Sequence, residues 1–178
     1  MPVAFFDVDT QLDFVAPAGA LYVPGAEAIV GAVAQLNQHA SRHRIPLIST
    51  VDAHTEDDPE FAVWPPHCIA GTLGQQKPAG TLVSGQILFE KQVNDCFFSG
   101  ELVSVLAGLP ASEYVVYGVV TEICVRYAVE GLLKAGKRVH LVTDAIRELN
   151  SLEAAKVLDL TRQSAGRILT QQEARQLS

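Results

Sequence analysis

The sequence predicts a three-layer αβα domain around a mostly parallel sheet of five or six strands. Three observations carry this. Short β-branched and aromatic runs alternate with amphipathic stretches, the order expected when helices cross between parallel strands. The runs Tyr114–Val119 and Val139–Thr143 are almost wholly apolar, as strands are when helices cover both faces. The chain has 178 residues, 48% of them hydrophobic, which suits a single domain (1–178) burying roughly 70% of its unfolded surface.

Val3 to Val8 reads as the first strand and Pro46 to Val51 as the second. Gln86 to Phe89 is a weaker third, Tyr114 to Val119 the fourth, Val139 to Thr143 the fifth, and Arg167 to Leu169 a short sixth. Amphipathic spacing puts helices over Ala26–His43, Gly100–Leu109, Glu122–Ala135 and Leu152–Ser164, with one more over Gln171–Leu177. Gly25 stands just before the first helix and Gly136 at the C-cap of the third. From His54 to Gln86 the alternation fails. A loop that long in a compact domain is usually functional or disordered, and its Phe61, Trp64 and paired prolines favour order.

Charge and cysteine usage exclude several classes. Twenty acidic residues against thirteen basic ones leave a net charge of −7, contrary to the basic footprint of nucleic-acid binding. No apolar run approaches the ~18–20 residues of a membrane helix, and the N-terminus lacks the basic, then apolar, pattern of a signal peptide. Three cysteines are too few for a secreted disulfide framework, so a reducing cytoplasm is expected.

Four reactive residues fall at the carboxyl ends of consecutive strands, where open α/β sheets bind ligands. Asp9 follows the first strand, Asp52 the second and Lys91 the third, and Cys124 opens the helix after the fourth, with Thr121 as its candidate N-cap. A free thiol of pKa ~8.5 is only about 3% thiolate at pH 7. A helix N-terminus supplies at most ~2 kcal/mol towards the anion, so a second contributor is needed, and Lys91 is the candidate. Alternation sends Asp7 and Asp9 to one side, where Asp9 would serve best by taking the thiol proton as general base. Asp52, His54, Glu60 and His67 form a mixed oxygen and nitrogen set suited to zinc, iron or manganese. Asp13, Asp144 and Cys68 read as structural. Glu56, Asp57 and Asp58 read as a solvated acidic loop, and His39, His43 and His140 as surface or packing residues.

The set Asp9-x-Gln11-x-Asp13-Phe14, Asp52-x-His54, Trp64-Pro65-Pro66-His67-Cys68-x-x-Gly71-Thr72, Lys91 and Gly118-x-x-Thr121-x-x-Cys124-Val125 resembles the isochorismatase-like cysteine hydrolases, most closely the nicotinamidases. The resemblance runs from about Val3 to Ala145. It implies the family's Rossmann-like fold and a cytoplasmic homo-oligomer. It also implies a small-molecule amide, nicotinamide, hydrolysed to nicotinate and ammonia through a thioester on Cys124. Asp9 would then move protons, and Lys91 would stabilise the sulfur anion. Val120 and Cys124 N–H groups would form an oxyanion hole behind a cis Val119–Val120 bond. One divalent metal ion would sit on Asp52, His54 and His67, with Glu60 where several relatives have histidine, and Phe14, Trp64 and Val119 would line the pocket. After Lys91 the family often has Tyr-Ser-Ala-Phe, whereas this chain has Asn94-Asp95-Cys96-Phe97. Asp95 and Cys96 are expected to be structural. The competing readings are the same chemistry on another small amide or ureido compound, a non-catalytic ligand-binding relative, and a redox-sensing thiol protein, the last disfavoured because no C-x-x-C pair is present.

Overall fold

The computed structural model describes residues 2–177. Its sheet is parallel throughout and has six strands: β1 (Val3–Val8), β2 (Leu47–Asp52), β3 (Gln86–Lys91), β4 (Glu113–Val119), β5 (Arg138–Arg147) and β6 (Ile168–Leu169), in spatial order β3-β2-β1-β4-β5-β6. The helices are α1 (Leu12–Val15), α2 (Val30–His43), α3 (Glu101–Ala107), α4 (Arg126–Lys134), α5 (Ser151–Gln163) and α6 (Gln171–Ala174). α2 packs on α6 and α4 on α5, so helices flank the sheet as the sequence predicts. Every residue of β1 and β2 is buried, as their apolar content requires. Among the described residues no helix is long and apolar enough to cross a membrane.

Element boundaries differ from expectation in instructive places. β5 extends to Arg147 because a bulge opposite Val116 and Gly118 lets it resume pairing beyond Thr143. The first predicted helix begins as a 3-10 turn, Ala26–Ile29, with Gly25 at φ 81° in front of it. Asp52 and Lys91 are the last residues of their strands rather than the first beyond them. α1 was not anticipated, being a single turn of four residues.

Strand order reverses at β1 and β4, and that crevice is the expected binding edge. Gly118 permits the close approach there. A Cβ at its φ of +124° would stand 2.0 Å from the Val8 carbonyl oxygen, closer than any side chain tolerates. The long segment after β2 is pinned to the turn after β1. Leu12 N donates to Gln76 O (2.8 Å), Asp13 N to Gly74 O (3.0 Å), and Cys68 N to Asp13 Oδ2 (2.7 Å). Asp13 is therefore structural, as expected. Asp144, which accepts from Gln171 N at 2.7 Å, is structural too.

Candidate active site

Parallel pairing places Asp52 and Lys91 directly opposite each other at the ends of β2 and β3. Lys91 Nζ contacts Asp52 Oδ1, lies 2.8 Å from Asp9 Oδ2 and stands 3.8 Å from Cys124 Sγ. Sulfur, carboxylate and ammonium thus meet, although they come from three separated segments.

The expectation that Asp7 and Asp9 share a side fails. Asp9 has φ 49°, a left-handed conformation that breaks strand alternation. Asp7 faces Ser49 and Asn37, whereas Asp9 accepts from Thr50 Oγ1 (2.7 Å), the next residue along β2 and hence the other face. The second oxygen of Asp9, Oδ2, is buried and has no well-directed hydrogen bond among the described residues.

Cys124 lies within a π-helical turn, Thr121–Val125, that leads into α4. The Val120 carbonyl accepts from Ile123 N (3.0 Å) and Val125 N (3.2 Å), the residues on either side of the cysteine. Such i→i+5 turns are rare and concentrate at functional sites. The N-cap position is Val120 rather than Thr121, whose buried hydroxyl makes no cap bond. The Val119–Val120 peptide bond is cis, as the resemblance implies.

Burial dominates the electrostatics. It pushes the Cys124 thiol well above its usual range; Lys91 opposes this, while Asp9 and Asp52 add to it. A resident thiolate held by Lys91 is therefore not what the structure supports, because two carboxylates offset one ammonium. Burial also raises Asp9 against the pull of Lys91, so this carboxylate is a better proton acceptor than an exposed one. Burial alone would depress Lys91, but Asp52 and then Asp9 raise it well above the ordinary lysine value and keep it charged. Burial likewise works against ionised Asp52, yet Lys91 beside it brings its carboxyl below the usual range.

The second oxygen of Asp52 turns towards His54 Nε2, 3.8 Å away and beyond hydrogen-bond reach. Potential ligand atoms of Asp52, His54 and His67 lie within 4.8 Å of one another, and all three residues are buried. The donor set fits a divalent cation. His54 Nδ1 is engaged by Asp58 Oδ2 (3.0 Å) and His67 Nδ1 by the Pro65 carbonyl (2.7 Å), which leaves both Nε2 atoms as acceptors. His54 Nε2 is buried without a partner among the described residues. Burial opposes protonation of His54, but the Asp52 and Asp58 carboxylates lift its pKa to about 9, so a cation there would have to displace a proton. Glu60 groups instead with His54 and Asp58 and lines the cavity, at the margin of the triad.

Asp52, Glu60, His67 and Cys124 border a cavity of about 180 Å³, smaller than the ~300–1,000 Å³ typical for drug-sized ligands. Phe14, Trp64 and Val119 line it as expected, with Ile123 and Leu149 added. Cys68 and Cys96 are free and buried, and burial raises both thiols, Cys96 to about 12. Asp95 accepts from Phe97 N (2.9 Å) and is structural. His140 packs against Glu113 and the Arg167 backbone, while His39 and His43 pack on each other along α2.

Three residues carry more of the site than the sequence suggested. Asp58 is buried rather than part of a solvated loop. Its spacing of four from His54, with Asp52 before both, is the signal that could have found it. Gln11 clamps the end of β2, donating to Asp52 O (2.8 Å) and Gln75 O (2.8 Å) while accepting from Asp52 N (2.7 Å). Asn94 presents Oδ1 at 3.6 Å from Cys124 Sγ and lines the cavity.

With this geometry in place, comparison with known proteins is specific. Residues 3–173 match the isochorismatase domain, and the chain belongs to the isochorismatase family. It is 28% identical over 159 residues to the nicotinamidase/pyrazinamidase of Mycobacterium tuberculosis, covering 79% of this chain and 84% of that one. The pyrazinamidase of Pyrococcus horikoshii, solved in complex with zinc, superposes with a TM-score of 0.86 at 26% identity, over 96% of this chain and 99% of that one. The pyrazinamidase/nicotinamidase of Streptococcus mutans gives 0.85 at 27% identity, over 94% and 99%. Within its family, the protein is an amidohydrolase.

Proposed function

We propose that the protein hydrolyses nicotinamide to nicotinate and ammonia, with Cys124 as nucleophile. The observation that carries this reading is the meeting of Asp9 and Lys91 behind Cys124, which itself lines a small, mostly apolar cavity beside the Asp52–His54–His67 set. Those three residues, with Glu60 nearby, would hold a divalent ion, zinc by likeness to the Pyrococcus protein. When bound, the ion would supply a Lewis-acid contact for a ring nitrogen and so position the substrate.

Cys124 starts as a thiol. Its sulfur attacks the amide carbonyl carbon as the proton passes to Asp9, and the C=O pair moves onto oxygen. The Val120 and Cys124 N–H groups are the candidate donors to that oxyanion. Collapse breaks the C–N bond. Asp9 returns its proton to the nitrogen, and ammonia departs to leave a thioester. Water then attacks the thioester, giving one proton to Asp9, and the expelled sulfur recovers it. Lys91 keeps its charge throughout, steadying first the developing sulfur anion and then ionised Asp9.

The single-domain, cytoplasmic and homo-oligomeric expectations belong to the same reading; three free, buried cysteines suit a reducing compartment. The test is ammonia release from nicotinamide by the purified, zinc-loaded protein. Turnover that disappears in Cys124→Ala is expected. No ammonia from millimolar nicotinamide would remove this substrate, and release from another amide or ureide in the same assay would reassign it.

A further inference from the structure

We propose that Asn94 is a specificity-determining residue that accepts an N–H from the leaving nitrogen of the substrate and so selects carboxamides over esters. The inference rests on the amidase reading above and deepens it. Asn94 lies on the loop after β3, half-buried, with its side chain in the cavity wall and Oδ1 at 3.6 Å from Cys124 Sγ.

The resting contact is one in which the thiol donates to Oδ1. Catalysis removes that donor, because the S–H proton must pass to Asp9 as sulfur attacks. An acceptor left facing a water-poor cavity without a donor is costly, so whatever occupies the cavity at that moment should supply one. Geometry restricts the source. In a near-attack complex the carbonyl carbon lies ~3–3.5 Å from the nucleophile, which brings the substituents on that carbon within reach of groups flanking Sγ. The carbonyl oxygen cannot be the partner, since it accepts and Oδ1 accepts. The ring is matched instead to the apolar wall of Phe14, Trp64 and Val119. The amide nitrogen remains. A carboxamide offers an N–H to Oδ1, and once the carbon is tetrahedral the nitrogen lone pair is free to turn towards protonated Asp9. An ester oxygen offers none and would face Oδ1 lone pair to lone pair.

The experiment compares nicotinamide with methyl nicotinate, which differ only at the leaving atom. Both are assayed on the zinc-loaded wild type and on Asn94→Ala. The expected result is a fall of about 10- to 100-fold in kcat/KM for the amide, the cost of an unmatched buried hydrogen bond, with ester turnover unchanged or higher. Retained ester turnover also shows that the variant folds and keeps its nucleophile. A parallel fall for both substrates, or no fall for either, overturns the role of Asn94 while leaving the amidase reading intact. A wild type inactive on both overturns the amidase reading for this substrate and the Asn94 assignment with it.

Discussion

Two buried aspartate–lysine pairs stand two residues apart, one aspartate within β1 and the other just past its end, and they do different things. Asp7 and Lys77 meet at 3.0 Å on one face of the sheet; Asp9 and Lys91 meet at 2.8 Å on the other. Asp7 has both oxygens hydrogen-bonded. Thr10 Oγ1 (2.7 Å), Asn37 Nδ2 (2.8 Å) and Ser49 Oγ (3.3 Å) join Lys77 around it, and Tyr117 closes the network by donating to Asn37 Oδ1 (2.6 Å). Asp9 has Thr50 on one oxygen, while the other is offered to Lys91 and to the Cys124 sulfur without a well-directed bond. The partners around Asp7 tie it into the packing, whereas burial raises Asp9 and its Oδ2 is left open to a proton. The left-handed turn at Asp9 separates the two environments.

The contrast breaks most sharply on substitution. Asp9→Asn keeps the shape and removes the proton acceptor, so kcat should fall by about 10²–10⁴-fold, the usual contribution of a positioned base, while the urea midpoint moves little. Lys91 still has Asp52 to face in that variant. Asp7→Ala should do the reverse. It leaves Lys77 buried without its carboxylate, which costs about 3–5 kcal/mol in unfolding free energy, and kcat of the folded fraction should stay within its order of magnitude. Urea titration and steady-state ammonia release on both variants decide the matter. Equal losses of kcat would mean that the two pairs are one network and the comparison is empty.

What the sequence made legible follows from what it encodes locally. Strand periodicity and the apolar runs around Tyr114 and Val139 specify a parallel sheet. A parallel sheet puts Asp9, Asp52, Lys91 and Cys124 along one edge whatever the details of their loops. Less legible was anything depending on a single dihedral or a burial depth. Strand parity cannot foresee φ 49° at Asp9, and so it wrongly put Asp7 beside it. The acidic run Glu56-Asp57-Asp58 looks uniformly solvated, but the 3-10 turn Pro59–Ala62 draws Asp58 alone inward, where it accepts from Glu60 N (2.9 Å) as well as from His54. The sign of the thiol shift escaped for a similar reason, since it depends first on how deeply the sulfur is buried and then on the two carboxylates that share Lys91.

Asp58 extends the comparison to the cation set, because it is a further buried aspartate and acts through a histidine. Its hydrogen bond to Nδ1 fixes the neutral tautomer that offers Nε2 alongside Asp52 and His67. Asp58→Ala should weaken zinc binding about 10- to 100-fold, read by competition with a chelating dye. Cys124 labelling should be unaltered, because Asp58 does not reach the sulfur. An unchanged zinc affinity would make Asp58 a loop anchor only.

The smallest effect is also the most diagnostic of how the nucleophile rests. Iodoacetamide on the native protein should modify Cys124, which opens on the cavity, before Cys68, which is wholly buried, and before Cys96, which borders a second hollow beside Lys91 but is itself almost wholly covered. Its dependence on pH follows from the direction of the shift. Burial and two carboxylates favour the protonated sulfur over the anion, so at any pH below its own pKa the thiolate fraction is smaller than that of a free cysteine. The alkylation rate should therefore keep climbing through the ordinary thiol range around pH 9. A plateau below pH 8 would mean that Lys91 outweighs Asp9 and Asp52 and that the sulfur rests as an anion. Asp9 would then have no proton to receive at the first step, and its undersaturated oxygen would need another explanation.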